Sequence, residues 1–184
     1  MQFQMTEPSL DRDKLLDVVH YICAKCSSAE LGNVKLHKIL YFSDMLHYLS
    51  TGRALTGVEY RKQKFGPVAR HLSWAVDRLI ENGQLEVVDR DYFGFKKLDY
   101  KSIQEPITRR LGNEAIQILN DVMDFVCARS AREISELSHN AAWQAVEVGE
   151  TIPYYSAYGL IPSEITEEDL TAASAEARDL LPVG

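Results

Sequence analysis

The 184-residue sequence predicts an α+β fold that is mainly α-helical, a single compact domain of six or seven helices with a small antiparallel β element. Three observations carry that expectation. Apolar residues recur at helical spacing in several long runs. The period shortens to β-rich runs only near 58–65 and 85–98. No Gly-, Pro- or Ser-rich linker and no internal repeat divides the chain. Residues 1–162 therefore read as one domain, followed by an acidic C-terminal helix or tail over 163–184.

The elements follow in order. Leu15, Leu16, Val18, Val19, Ile22, Cys23 and Cys26 share one stripe, and Asp11 and Asp13 stand in the first turn, where the helix dipole favours acids. Gly32-Asn33 breaks this pattern. Asn33 is the expected cap of a second helix to about Leu49, with Leu36, Ile39, Leu40, Ser43, Leu46 and Leu49 inward. Thr51-Gly52 ends it. Val58 to Phe65 lies between Gly57 and Gly66-Pro67 and reads as a strand, with Pro67 at the first position of a third helix. That helix carries Val68, Leu72, Val76, Leu79 and Ile80 on one face and stops at Asn82-Gly83. Leu85 to Val88 and Tyr92 to Leu98, linked by Asp89-Arg90-Asp91, read as a hairpin. After a polar connector, a helix from Gly112 to Ala128 carries Ile116, Leu119, Val122, Met123 and Val126. Ser130-Ala131-Arg132-Glu133 is a capping-box pattern. Asn140 caps a further turn bearing Trp143 and Val146. Ile152-Pro153 starts extended, and Thr166 to Asp169 opens the acidic tail segment.

Composition narrows the function. The net charge is −7, which argues against a protein that coats nucleic acid, because phosphate binding wants positive potential. The average hides a pattern. Residues 51–110 hold 12 Lys and Arg against 8 Asp and Glu, while 163–184 hold Arg178 against six acids. A basic middle lies between acidic flanks. The start has no signal-peptide regions, and no run approaches the ~18 apolar residues of a membrane span. A cytoplasmic, reducing setting with no membrane partner is the expectation, with Cys23, Cys26 and Cys127 as free thiols.

No catalytic constellation is legible. Cys23-Ala-Lys-Cys26 has no second pair to complete a zinc site and no preceding strand for a thioredoxin-like motif. His20, His37, His47, His71 and His139 stand in no metal-ligand spacing. Asp44 and His47, three residues apart on a helix, suggest a polar pair of structural kind. No catalytic residue, metal or cofactor is expected. A helix followed by a two-stranded wing suggests a winged-helix DNA regulator as the alternative reading, with Lys96-Lys97 on the wing. Its third helix mixes Arg70, His71 and Arg78 with Asp77 and Glu81, a weak basic footprint.

The densest signal runs from Lys35 to His71. Tyr41, Tyr60 and Phe65 supply rings among basic Lys35, Lys38, Arg61, Lys62 and Lys64, a mix suited to a protein-binding face and equally to an ordinary core edge with lysines snorkelling outward. The K-L-x-K-I-L-Y-F stretch at 35–42, the G-R-x-L-T-G turn at 52–57 and the F-G-P-V segment at 65–68 resemble the Panacea antitoxin domain, the SocA-like or phage-associated GepA-like family. Ala131 to His139 followed by Trp143 resembles a later region of the same family.

The resemblance implies a mainly helical domain with a small β element. It implies the antitoxin of a bacterial or phage toxin–antitoxin pair, which neutralises its cognate toxin by direct contact, through sequestration or delivery to protease machinery. Lys35, Lys38, Tyr41, Arg53, Tyr60, Arg61, Lys62 and Lys64 are the expected partner-binding residues, exposed at the surface. Leu36, Leu40, Phe42, Phe65, Gly66, Pro67, Val68, His139 and Trp143 are the expected structural residues of the motifs.

Overall fold

The computed structural model describes residues 7–160, so the tail expected over 163–184 lies outside the described residues. Helix α1 (Arg12–Lys25) begins where the Asp11 side chain accepts the Lys14 N–H, and Asp13 and Lys25 sit at the dipole ends that suit their charges. Helix α2 (Gly32–Thr51) closes at Gly52, whose φ of 70° is the left-handed conformation that glycine adopts without strain. It starts two residues earlier than expected, with Leu31 at the N-cap position. Asn33 is not its cap; the Asn33 side chain accepts the Tyr100 hydroxyl at 3.2 Å instead.

Two antiparallel hairpins follow. Strands β1 (Tyr60–Gln63) and β2 (Gly66–Ala69) pair Gln63 with Gly66 across a two-residue turn. Pro67 thus lies in a strand, not at a helix start. It tolerates the strand because antiparallel pairs alternate, and Pro67 faces Lys62 at the position that exchanges no ladder bonds. The Lys62 amide and carbonyl turn the other way, to Glu150 O and Gly149 N, so residues 149–152 run beside β1. Helix α3 (Leu72–Glu81) begins only after this hairpin and leaves Ile80 exposed.

Strands β3 (Leu85–Tyr92) and β4 (Phe95–Ser102) form the second hairpin. Its turn is Phe93-Gly94, both at positive φ, with the Gly94 N–H donated to the Asp91 side chain. The expected link, Asp89 to Asp91, belongs to the strand. Gly94 takes positive φ without strain and its N–H meets the Asp91 side chain, so the turn forms at Phe93-Gly94 rather than at Asp89-Arg90. Helices α4 (Asn113–Cys127), α5 (Ala131–Leu137) and α6 (Ala141–Gln144) complete the α-helices of the described residues, and a 3₁₀ helix spans Tyr154–Leu160. The Ser130–Glu133 capping box and the Asn140 cap are both present.

The core joins one face of α1, most of α2 and the apolar stripe of α4, closed by Tyr60, Tyr100 and Tyr154. Leu36, Ile39 and Leu40 lie inside as expected, whereas Leu46 is 47% exposed. Arg110 donates twice to Asp17, at 2.5 and 2.8 Å, and ties α1 to the connector before α4. None of the helices among the described residues is long and apolar enough to cross a membrane.

At the end of α2 the chain turns back over a buried carboxylate. Asp44 is fully buried and accepts the Thr56 N–H at 2.8 Å, the Thr56 hydroxyl, and the Tyr60 hydroxyl at 2.7 Å. It makes no pair with His47, which donates Nδ1–H to Arg53 O at 2.8 Å. Burial pushes the Asp44 carboxyl up, opposed by the bonds from Thr56 and Tyr60. Replacing Asp44 with Ala strips three buried donors of their acceptor. The expected loss is about 3–5 kcal/mol of unfolding free energy, read by urea titration, with a smaller loss for Asp44→Asn.

Candidate partner-binding site

The motif segments that stand apart in the chain meet at Gly66. Lys38 reaches from the middle of α2 to donate its Nζ to Pro67 O at 2.8 Å. Gly66 has φ of 97°, and a Cβ added there would lie 2.1 Å from Ser138 Oγ and 2.8 Å from Lys38 Cε. Only a glycine fits, for backbone conformation and for space. Ser138 donates its hydroxyl back to Ser135 O at 2.7 Å within the end of α5, and its side chain packs over Gly66. Three segments around Lys38, Gly66-Pro67 and Ser138 are thereby locked together.

The hairpin turn projects from this junction. Phe65 is 66% exposed at its tip, with Lys64 Nζ 5.4 Å from its ring centroid. Phe65 was expected among the residues that hold the fold, and the two-residue turn instead points it outward. Beside the turn, Trp143 donates its indole N–H to Gln63 O at 3.2 Å and stacks on His139 with ring centroids 4.0 Å apart. Lys62 also lies over Trp143: its Nζ is 4.1 Å from the Trp143 centroid and donates to Val146 O at 2.7 Å. The result is an aromatic and basic ridge of Lys62, Lys64, Phe65 and Trp143. Half-exposed cations over aromatic faces are held in place at little cost in hydration.

Glu59 organises the flank of the ridge. It accepts from Arg61 Nε at 2.7 Å, Arg70 Nη1 at 2.8 Å and Thr151 Oγ1 at 2.9 Å. Burial would raise its carboxyl, but the bonds from Arg70, Arg61 and Thr151 outweigh that and hold it at about 2. Arg61 therefore stays half-exposed but paired. Arg53 lies in a different neighbourhood, the loop after α2 near Pro8, Asp11 and Tyr48.

Four expected surface residues are corrected by their burial. Lys35, Lys38, Tyr41 and Tyr60 are 8%, 2%, 0% and 0% exposed. Lys35 donates to Cys127 O at 3.3 Å, Tyr41 packs edge-on to Tyr60, and Tyr60 serves Asp44. Their polar atoms find partners inside, so their polarity does not mark exposure. Burial lowers Lys38 to about 8, and His37 beside it is lowered to about 4 by burial and by the Lys38 charge. The His37 Nδ1 accepts the Ala69 N–H at 3.1 Å, which suits a neutral ring. Leu36 and Leu40 are core residues, and Gly66 and Pro67 are buried at the junction. Phe42, Val68, His139 and Trp143 are half-buried.

A second surface went unread in the sequence. Phe42, Leu46, Leu49, Val122, Phe125 and Leu137 line an apolar groove of about 440 Å³ between α2, α4 and α5. Phe125 stands off the α4 stripe and is 42% exposed, an aromatic out of phase with its helix that could have flagged this face. No cluster of His, Cys, Asp and Glu suited to a metal ion occurs among the described residues.

Residues 36–144 match the family model for the antitoxin SocA-like, Panacea domain. The match spans more than half of the sequence, and the chain belongs to that family. No curated protein and no solved structure matches the chain.

Two consequences of the junction are measurable. Gly66→Ala is expected to cost about 3 kcal/mol or more, because strain at positive φ adds to overlap with Ser138 and Lys38. Urea unfolding reads it, and a loss below ~1 kcal/mol would show that the junction yields freely. Lys38 sets a pH dependence. Between pH 8 and its ordinary value of 10.5, the unfolded chain holds a proton on Lys38 that the folded chain has released. Stability attributable to Lys38 therefore rises with pH across that window, and the burial penalty is full below it. Wild type is expected to gain about 3 kcal/mol relative to Lys38→Met between those limits.

Proposed function

We propose that this Panacea-family chain is an antitoxin that neutralises a cognate toxin by direct protein–protein binding through the β1–β2 ridge. The observation that carries this reading is the convergence on Gly66. Segments from 35–42, 65–68 and 131–143 fix one rigid junction and present Lys62, Lys64, Phe65 and Trp143 beside it. A rigid turn with an exposed aromatic tip and flanking cations loses little entropy on binding and offers the residue types that anchor interfaces. The basic ridge complements an acidic toxin surface, which would steer the encounter. Once bound, the toxin is either held inactive or delivered to protease machinery; both outcomes follow from the same contact. The setting we propose is the cytoplasm, with residues 1–162 as the binding domain.

The winged-helix reading finds less support. Arg70 is engaged by Glu59 and Arg78 by Glu81, and on the hairpin Lys96 faces Asp89 while Lys97 faces Asp99. Cations already paired contribute little net positive potential toward phosphates.

Co-expression with the product of the adjacent open reading frame tests the main reading. The neighbour alone is expected to arrest growth, and this chain to restore growth and co-purify with it. A harmless neighbour, or a toxic one neither bound nor neutralised, would sink the proposal. Reversing Lys62 and Lys64 to Glu is expected to weaken association about tenfold at low salt, with a smaller effect at high salt. Binding kinetics across an ionic-strength series check this, and unchanged rates would assign the charges to solubility alone.

A further inference from the structure

The geometry points to Cys26 and Cys127 as a reversible dithiol–disulfide site that staples the C-terminal end of α1 to the C-terminal end of α4. The two sulfurs lie 3.5 Å apart, from residues 101 positions apart in the chain, and all three cysteines are free in this structure. Cys26 is the C-cap of α1 and Cys127 the last residue of α4, so each sits at a helix end, where the backbone can adjust to a bond. Both side chains are half-buried, within reach of a small oxidant, whereas Cys23 is 3% exposed.

The surroundings divide the chemistry between the two thiols. The hydrogen bond with Cys26 lowers the Cys127 thiol to about 7; burial opposes this, Lys35 assists, and Glu30 and Asp124 oppose. Cys26 is pushed up by the same bond and by burial, so it keeps its proton. Burial raises Cys23 to about 12 and leaves it a bystander. Cys127 is the attacking thiolate and Cys26 the resolving thiol. The oxidant that fits this exchange is a low-molecular-weight disulfide such as glutathione disulfide.

The step balances with that oxidant. The Cys127 thiolate attacks one sulfur of glutathione disulfide, forming a mixed disulfide and releasing one glutathione thiolate. Cys26 passes its proton to the released glutathione thiolate and attacks Cys127 Sγ, breaking the mixed disulfide and expelling the second glutathione as a thiolate. Two protein thiols are oxidised, and one glutathione disulfide is reduced to two glutathiones. The bond closes a loop that contains α2, α3 and both hairpins, so the unfolded chain loses freedom while the folded helices already hold their sulfurs together. The consequence is a domain whose resistance to unfolding rises under oxidising conditions, whatever partner it binds.

The test uses the full chain in glutathione buffers of graded oxidation, followed by alkylation and mass spectrometry. Oxidation is expected to reduce the alkylated thiols from three to one, to yield a Cys26–Cys127 cross-linked peptide, and to raise the melting temperature by about 5 °C or more. Dithiothreitol is expected to reverse all three. Cys23→Ser keeps the cross-link. In Cys26→Ser, Cys127 accumulates one glutathione, because nothing resolves it. A folded chain that keeps three reactive thiols at every ratio, a cross-link through Cys23, or a cross-link that leaves the melting temperature unchanged would overturn the proposal. Preferential glutathionylation of Cys26 in Cys127→Ser, with none on Cys127 in Cys26→Ser, would overturn the assigned roles.

Discussion

The absence of room for a side chain at Gly66 is the constraint on which the arrangement depends. Because Gly66 carries no Cβ, Ser138 and Lys38 close over it, and the Lys38 ammonium reaches the Pro67 carbonyl. That contact holds the β1–β2 hairpin against α2 and brings α5 and α6 to its other side. Trp143 then lies beside Gln63, and Lys62 spans the Trp143 ring to Val146. The exposed ridge is thus a consequence of a buried contact. Phe65 and Lys64 face solvent because the turn has only two residues and its strands are fixed from beneath.

Charged groups inside α2 serve the same end by different chemistry. Asp44 gathers the Thr56 amide and hydroxyl and the Tyr60 hydroxyl, and so returns the chain after α2 toward β1. Lys35 reaches Cys127 O and links α2 to the end of α4. Each group carries a desolvation cost and is retained where it fixes a turn or an orientation that apolar packing alone would leave loose. The family model matches residues 36–144, a range that includes Lys38, Asp44, Gly66 and Ser138.

Much of the fold was legible locally. The capping box at Ser130–Glu133, the Asn140 cap and the stop at Gly52 depend on atoms within one helical turn of each other. Errors arose where one local signal outweighed another. Pro67 suggested a helix start, but its place opposite Lys62 in a two-residue hairpin makes its missing N–H harmless. Acidic Asp89 and Asp91 suggested a loop, but Gly94 set the turn. In the candidate site, Arg61 is half-exposed, whereas Lys35, Lys38, Tyr41 and Tyr60 lie inside. A lysine on an amphipathic helix usually carries its charge out to water, and a chain read one window at a time gives no sign of the acceptor that draws it inward.

The sequence by itself determined most of the helices, the β3–β4 hairpin and the motif series that marks the family, because these rest on spacing, capping and backbone freedom within short stretches. Tertiary structure alone decided which polar residues are interior and which form a surface. Lys38 finds Pro67 29 positions away, Lys62 finds Val146 84 positions away, and Cys26 finds Cys127 101 positions away. The physical reason is that the free energy of a buried polar group depends on the partner that meets it. That partner is supplied by the folded chain and is absent from the group's own neighbourhood in sequence.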